Sequence, residues 1–327
     1  MKYGFAMATR GPMSSPEAMC TLARRGEQLG FDTISLSDHI VIPKNFRSRY
    51  PYNETGEFVG GGSGVGEASD YLEILVTAGF LAGDTSSIRL LTSVLVLPYR
   101  NPIITAKMLA SVDVLSKGRL TVGCGVGWMK EEFEAVGAPT FSERGAVTSE
   151  YIQAFKELWT SDDPSFEGRY CRFSEVFFLP KPIQRPHPPI WVGGESQAAL
   201  KRAARFGDAW YPVNNNSRVP LGTPRQYAKH VSRLRRYAET VGRDPYDVEL
   251  AYLVNHPAEH LDGEALLAAN GDRLMFTGNP EQIAADIDAF ARNGLRHIVF
   301  NFQSDRLGDT IERMERFATT VKPLVVG

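Results

Sequence analysis

Asp38 and His39 stand side by side at the end of a short apolar run, Thr33-Ile34-Ser35-Leu36-Ser37, and are the first place to look for proton chemistry. A histidine titrates near neutrality, and a carboxylate beside it can orient or tune it. A plain surface turn capped by Asp38 reads equally well. Gly193-Gly194-Glu195-Ser196 is the second constellation, closing Ile190-Trp191-Val192 and opening a helical stretch to Phe206. Free backbone N–H groups, a helix dipole and the Ser196 hydroxyl suit a phosphate there. The alternative is an ordinary glycine turn with Ser196 as N-cap. Thr92-Ser93-Val94 and Gly125-Val126-Gly127-Trp128 end two further strands.

Other patterns carry less. His256-Pro257-Ala258-Glu259-His260 has the form of an inverted zinc-protease motif. Asp262-Gly263 leaves it about one turn before a break and no distal ligand follows, so a solvated loop is expected and no metal site. Gly62-x-Gly64-x-Gly66 follows no strand. Gly123-x-Gly125-x-Gly127 does follow one, but Trp128 and Met129 occupy the place of the last glycine, so neither is a dinucleotide fingerprint.

Those strand ends form one site only if the strands run parallel. Leu90 to Leu97 reads as a single buried strand stopped by Pro98. Asn101-Pro102 caps a helix with Ile104, Met108, Val112 and Leu115 at helical spacing, and Gly118 ends it before the strand Arg119–Cys124. Strand, helix and strand in this order make a right-handed βαβ unit whose strands share a direction. The pattern recurs. Ser14 and Glu17 read as a capping box around Pro16, and Asn279-Pro280-Glu281-Gln282 opens a helix with Ile283, Ile287 and Phe290 inward. Strands are expected at the N-terminus and at 33–37, 90–97, 119–124, 190–192, 209–211, 248–253 and 297–300.

Eight strands, each followed by a helix, predict a single (β/α)8 barrel domain over residues 1–327, with insertions at the C-terminal face of the strands at about 43–69, 161–189 and 255–277. A hairpin of 169–173 with 176–179 is expected in the second insertion. The first is long enough to be a binding loop, and its Tyr50 and Tyr52, with Trp128 and Tyr211, are candidate pocket walls. Active sites on this fold lie at the strand C-termini, where all four constellations converge.

The 327 residues carry a net charge of -2 with scattered Lys and Arg, which argues against a nucleic-acid or polybasic membrane surface. No apolar run approaches the roughly 20 residues that span a bilayer, and no signal peptide is evident. Cys20, Cys124 and Cys171 are odd in number and far apart, so a reduced, cytoplasmic protein is expected.

Phe31-Asp32-Thr33-Ile34-Ser35-Leu36-Ser37-Asp38-His39, Leu91 to Pro102, Leu115-Ser116-Lys117-Gly118-Arg119-Leu120 and Gly123 to Phe133 resemble the bacterial luciferase-like superfamily. They are most similar to its deazaflavin (coenzyme F420)-dependent oxidoreductases, and the resemblance runs from about Lys2 to Val299. It implies a barrel binding F420 or FMN at its C-terminal mouth and, in this branch, hydride transfer at cofactor C5 with a small organic substrate. It also implies a non-proline cis peptide at Ser93-Val94 backing the ring, contact with the tricycle from Asp38, and a phosphate site at Gly193, Gly194 and Ser196. Thr92, Gly125, Val126 and Glu195 are further candidate cofactor-binding positions, Glu195 being awkward beside a phosphate unless it points away. His39 is then the proton partner, with Asp38 tuning it. A homodimer is expected on the same ground. Two positions depart from relatives: Trp128 stands where sugar-phosphate dehydrogenases carry a glutamate, and Val126 where luciferase has an arginine on the flavin phosphate. An FMN-dependent monooxygenase is the nearest alternative, and a non-catalytic flavin-binding protein a second.

Overall fold

The computed structural model describes residues 1–58, 71–256, 263–268 and 270–327. The glycine cluster at 60–66 and residues 257–260 of the histidine motif lie outside them. Eight parallel strands close a barrel in the order β1 (Lys2–Ala6), β2 (Thr33–Leu36), β3 (Arg89–Thr92), β5 (Leu120–Gly125), β8 (Ile190–Gly193), β9 (Ala209–Tyr211), β10 (Glu249–Val254) and β11 (His297–Phe300). Tyr3 pairs with Ile298 and Phe5 with Ile34, so β1 joins the last strand to the second and no edge is left. The two-residue strand β4 (Leu95–Val96) continues β3 beyond a break, and β6 (Phe166–Glu167) pairs antiparallel with β7 (Arg172–Phe173) outside the barrel.

Helices α1 (Pro16–Gln28), α2 (Ile74–Asp84), α3 (Pro102–Leu115), α5 (Arg144–Thr160), α6 (Gln197–Phe206), α7 (Pro224–Thr240), α8 (Pro280–Ala291) and α9 (Leu307–Arg316) follow the barrel strands in turn, and the short α4 (Lys130–Ala135) precedes α5. Side chains alternate across each strand, so Leu91, Trp191, Tyr211, Ala251 and Val299 fill the barrel, while Ile34, Leu90, Val122 and Ile298 pack under the helices. Each such large apolar side chain contributes about 1.5–3 kcal/mol when fully buried. The fill closes the lower barrel and leaves the strand C-termini as the open end.

Four local expectations are corrected. The run Leu90–Leu97 is not one strand: Leu91 pairs with Thr121 but Leu95 with Cys124, so four steps on one strand face three on the other. That extra residue is a bulge, and the Ser93-Val94 peptide within it is cis, as the family resemblance implies. The cap of α1 is Ser15, whose Oγ accepts from Ala18 N at 3.2 Å, because Pro16 at the first helical position makes the preceding residue the N-cap; Ser14 instead donates to Gly11 O. In α3 the buried face is Thr105, Ala106, Leu109, Ala110, Val112 and Asp113, and Ile104 and Leu115 are exposed. The helix is apolar nearly all round, and the face is chosen by Asp113, whose carboxylate accepts from Ile183 N, Gln184 N and Gln184 Nε2 on the return path of the insertion. The hairpin forms earlier than expected because Glu150 of α5 gathers the N–H groups of Arg169, Tyr170 and Cys171 into its turn.

Candidate active site

A cavity of about 300 Å³ opens at the C-terminal ends of the strands. Asp38, His39, Tyr50, Tyr52, Ser93, Val94, Gly125, Val126, Trp128, Gly193, Gly194 and Tyr211 all line it. The sequence therefore brings together residues from β2, the loop after it, the bulge and β5, β8 and β9. Thr92, Glu195 and Ser196 do not reach the cavity. Thr92 is buried in the sheet and its hydroxyl donates to Gly123 O at 2.9 Å. Ser196 caps α6 by accepting from Ala199 N. Glu195 turns the other way, accepting from Val213 N at 2.9 Å and from Asn216 Nδ2 at 2.6 Å. Burial pushes its carboxyl up to about 7 against those two bonds. Through them it holds the loop whose Asn215 donates to the carbonyls of Tyr52 and Asn255.

The bulge is seated by two glycines. A Cβ on Gly125 would lie 2.4 Å from Val94 Cγ2, and one on Gly193 2.9 Å from Val94 Cγ1. Only hydrogen at both positions lets Val94 pack against β5 and β8 while its backbone faces the cavity. Tyr211 Oη holds Ser93 Oγ at 3.0 Å from across the barrel. Of the glycines of 123–127, Gly125 thus serves the bulge.

Asp38 and His39 part company at the strand end. The Asp38 side chain is wholly buried and meets Arg100 in a two-pronged pair, Oδ1 to Nη2 at 2.7 Å and Oδ2 to Nη1 at 2.8 Å, with Val96 N donating to Oδ2. Burial raises the Asp38 carboxyl, and Arg100 and the Val96 N–H oppose the rise. Arg100 also binds Glu73, which caps α2 through Leu75 N and Val76 N. Asp38 therefore ties β2 to the bulge and to α2, and it is not the group on the histidine ring. That correction follows from strand geometry, since successive side chains leave a strand end on opposite sides.

The group on the ring is Glu132, which lies in α4 and stands out in the sequence only by its place in the Gly123–Phe133 motif. Its Oε2 lies 2.6 Å from His39 Nδ1 and accepts from Tyr99 Oη at 2.9 Å; its Oε1 accepts from Ile40 N at 2.8 Å and Val41 N at 3.3 Å. The neighbouring Glu131 takes Arg47 N and Ser48 N, so this one-turn helix clamps the loop carrying His39 and Tyr50. The His39 ring rests among Phe58, Tyr71 and Trp128 at centroid distances of 5.0, 5.3 and 6.1 Å, and Arg10 stacks over Phe58 and Tyr71. A hydroxyl chain, Thr9–Ser37–Tyr71, with both links at 2.8 Å, completes that wall.

Two buried or half-buried cations lie beyond Gly127, outside the cavity lining. Arg144 donates to Gly127 O and stacks on Phe141, and Arg202 donates to Ser149 Oγ and Gly145 O. Neither forms an ion pair with a described carboxylate, and burial lowers both. Here α5 begins without a side-chain cap. A flat ring against the bulge fits the residues that line the cavity, which Arg144 and Arg202 do not. His256 is bonded to Asn214, and no group of three metal-ligating side chains occurs among the described residues.

A 157-residue stretch is 38% identical to the FMNH2-dependent dimethylsulfone monooxygenase of Pseudomonas putida, covering 47% of this chain and 42% of that protein. An uncharacterised protein of Mycobacterium tuberculosis is 33% identical over 298 residues, 89% of this chain and 96% of its own. Among solved structures, an F420-dependent secondary alcohol dehydrogenase in complex with an F420-acetone adduct superposes with a TM-score of 0.75 over 100% of this chain and 99% of that one, at 20% identity. The FMN complex of the oxygenating constituent of 3,6-diketocamphane monooxygenase from Pseudomonas putida does so at 0.73, over 100% and 99%, at 14% identity. Similarities this low in sequence speak for the barrel alone. The family model for luciferase-like monooxygenases matches residues 1–266, and the chain belongs to that family.

Proposed function

We propose that the chain is an F420-dependent oxidoreductase that exchanges a hydride between the deazaflavin and a small organic substrate. The observation that carries this reading is a proton-handling side chain, His39, set in the cavity wall with Glu132 behind it, in the same cavity as the Ser93-Val94 bulge. The bound cofactor supplies the hydride chemistry. Ser93, Val94, Gly125 and Val126 would back the ring, and Gly193, Gly194 and the start of α6 would face its phosphate side. Tyr50, Tyr52, Phe58 and Trp128 exclude water from the substrate side, and His39 holds or delivers the substrate's proton.

An FMN-dependent monooxygenase is the second reading, favoured by the 38% identity to the dimethylsulfone enzyme. The homodimer expected from the resemblance is supported by α2 and α3, whose Val76, Phe80 and Ile104 are 65%, 44% and 61% exposed on an otherwise charge-poor face. Cys20, Cys124 and Cys171 are free thiols, and among the described residues no helix is long and apolar enough to cross a membrane.

Separate titrations of the purified protein with F420 and FMN, followed by turnover with a panel of alcohols, aldehydes and ketones, test the reading. Saturable F420 binding and substrate-dependent change of its absorbance are expected. Tight FMN binding with oxygen consumption and no F420 binding would overturn it, and binding without turnover would leave a flavin-binding protein.

A further inference from the structure

We infer that Glu132 is the positioning residue that fixes the tautomer of His39, so that the cavity meets the ring only through Nε2. The inference rests on the reading of His39 as proton partner and deepens it. In a neutral imidazole one nitrogen carries hydrogen and the other accepts, and the bond made by one decides the other. The remaining partners of Glu132 are all donors: the Tyr99 hydroxyl and the amides of Ile40 and Val41. A carboxyl surrounded by donors has no place for its own proton, so Oε2 accepts and His39 Nδ1 must donate across the 2.6 Å contact. The Glu132 side chain is completely buried, and the bond gains strength from the absence of water.

Nε2 has no partner among the described residues, and His39 lines the cavity. A proton arriving from the cavity enters at Nε2 and gives a doubly protonated ring whose Nδ1–H stays on Glu132. A proton leaving the same atom restores the neutral ring. The amides of Ile40 and Val41 bind the same carboxylate, so the ring is held against rotation by the chain that carries it. Asp38, Arg10, Tyr50 and Tyr71 share the cavity wall with His39, and the Asp38 charge is felt there, but none of them bonds its ring. Asp38 is committed to Arg100 and Val96 N, the Tyr71 hydroxyl to Ser37, and Arg10 lies over the Tyr71 and Phe58 rings. Tyr99, raised by burial and by Glu132, stays protonated.

The test uses 15N-histidine-labelled full-length protein without cofactor, with the His39 signals assigned by the His39→Gln variant. Wild type is expected to show protonated Nδ1 and bare Nε2 at alkaline pH. In Glu132→Gln the amide oxygen can satisfy Ile40 and Val41 only by turning its NH2 toward His39 Nδ1, so the tautomer should invert. In turnover, kcat should fall on the order of 10²–10⁴-fold, the usual worth of general acid–base catalysis, with a displaced pH profile and KM changed far less. Tyr99→Phe keeps the carboxylate and should keep the wild-type tautomer with less than a roughly tenfold loss. Bare Nδ1 in neutral wild type, or an unchanged tautomer and pH profile in Glu132→Gln, would overturn the inference; the wild-type spectrum decides it even if that variant does not fold. Unaltered turnover in His39→Gln would instead sink the underlying reading of His39, a separate result.

Discussion

At one side of the mouth, Asp38, Arg100 and Glu73 form a buried ionic clasp between β2, the bulge and α2; at the other, His39, Glu132 and Tyr99 form a hydrogen-bonded chain that ends on the cavity. The two begin at adjacent residues. In the first, every charge is spent on another protein group. In the second, the chain of donors and acceptors ends on a ring nitrogen with no partner among the described residues. Chain neighbours at a strand end leave on opposite sides, so their closeness in sequence says nothing about partnership. A carboxylate 93 residues away makes the ring hydrogen bond that the adjacent one does not.

If the division is right, substitutions on the two sides should fail differently. His39→Asn should cost on the order of 10²–10⁴ in kcat while leaving the unfolding midpoint in urea nearly unchanged, measured by stopped-flow turnover and equilibrium unfolding. Arg100→Met strands the Asp38 carboxylate without its counter-ion and should cost about 3–5 kcal/mol of stability by urea unfolding, since breaking a buried pair exceeds removing both partners. Comparable stability losses in both would erase the distinction.

Glu195 sharpens the comparison as a third carboxyl, buried without a cation. Its pKa is raised from 4.5 to about 7, so between those values the folded state holds a proton that the unfolded chain has released. Stability from this group is full below pH 4.5, declines as pH rises, and levels off above about 7. His297, lowered to about 3, acts in the opposite sense, because the unfolded chain takes up its proton as pH falls below 6.5. Urea unfolding of wild type and Glu195→Gln at pH 5 and pH 8 separates the two: relative to wild type the variant should gain stability at the higher pH. Smallest is Ser196→Ala, which removes a helix cap and should cost about 0.5–2 kcal/mol. A large accompanying loss of cofactor affinity would restore Ser196 to the phosphate site.

The barrel was legible because eight apolar runs alternate with amphipathic stretches bounded by Pro, Gly and Asn, and because parallel strands put their ends together. Asn279 and Gln282 form the capping box that their spacing indicates. The site was legible as a set of strand ends, since twelve of the expected positions line one cavity. What escaped is instructive. Glu132 lies on a six-residue helix, too short to show a period, and its partners are a ring and two amides rather than a pattern of residues. The inward face of α3 is set by a buried aspartate rather than by apolar spacing. The break at Ser93-Val94 is invisible in a run of β-branched and apolar residues, and only the family motif disclosed it.

A crystal structure of the protein with F420 bound tests the central claim most directly. The account predicts the ring lying against Ser93-Val94 with its reactive edge open toward His39 Nε2, and Glu132 still on Nδ1. A ring bound elsewhere in the barrel mouth, or a His39 side chain turned out of the cavity, would contradict it.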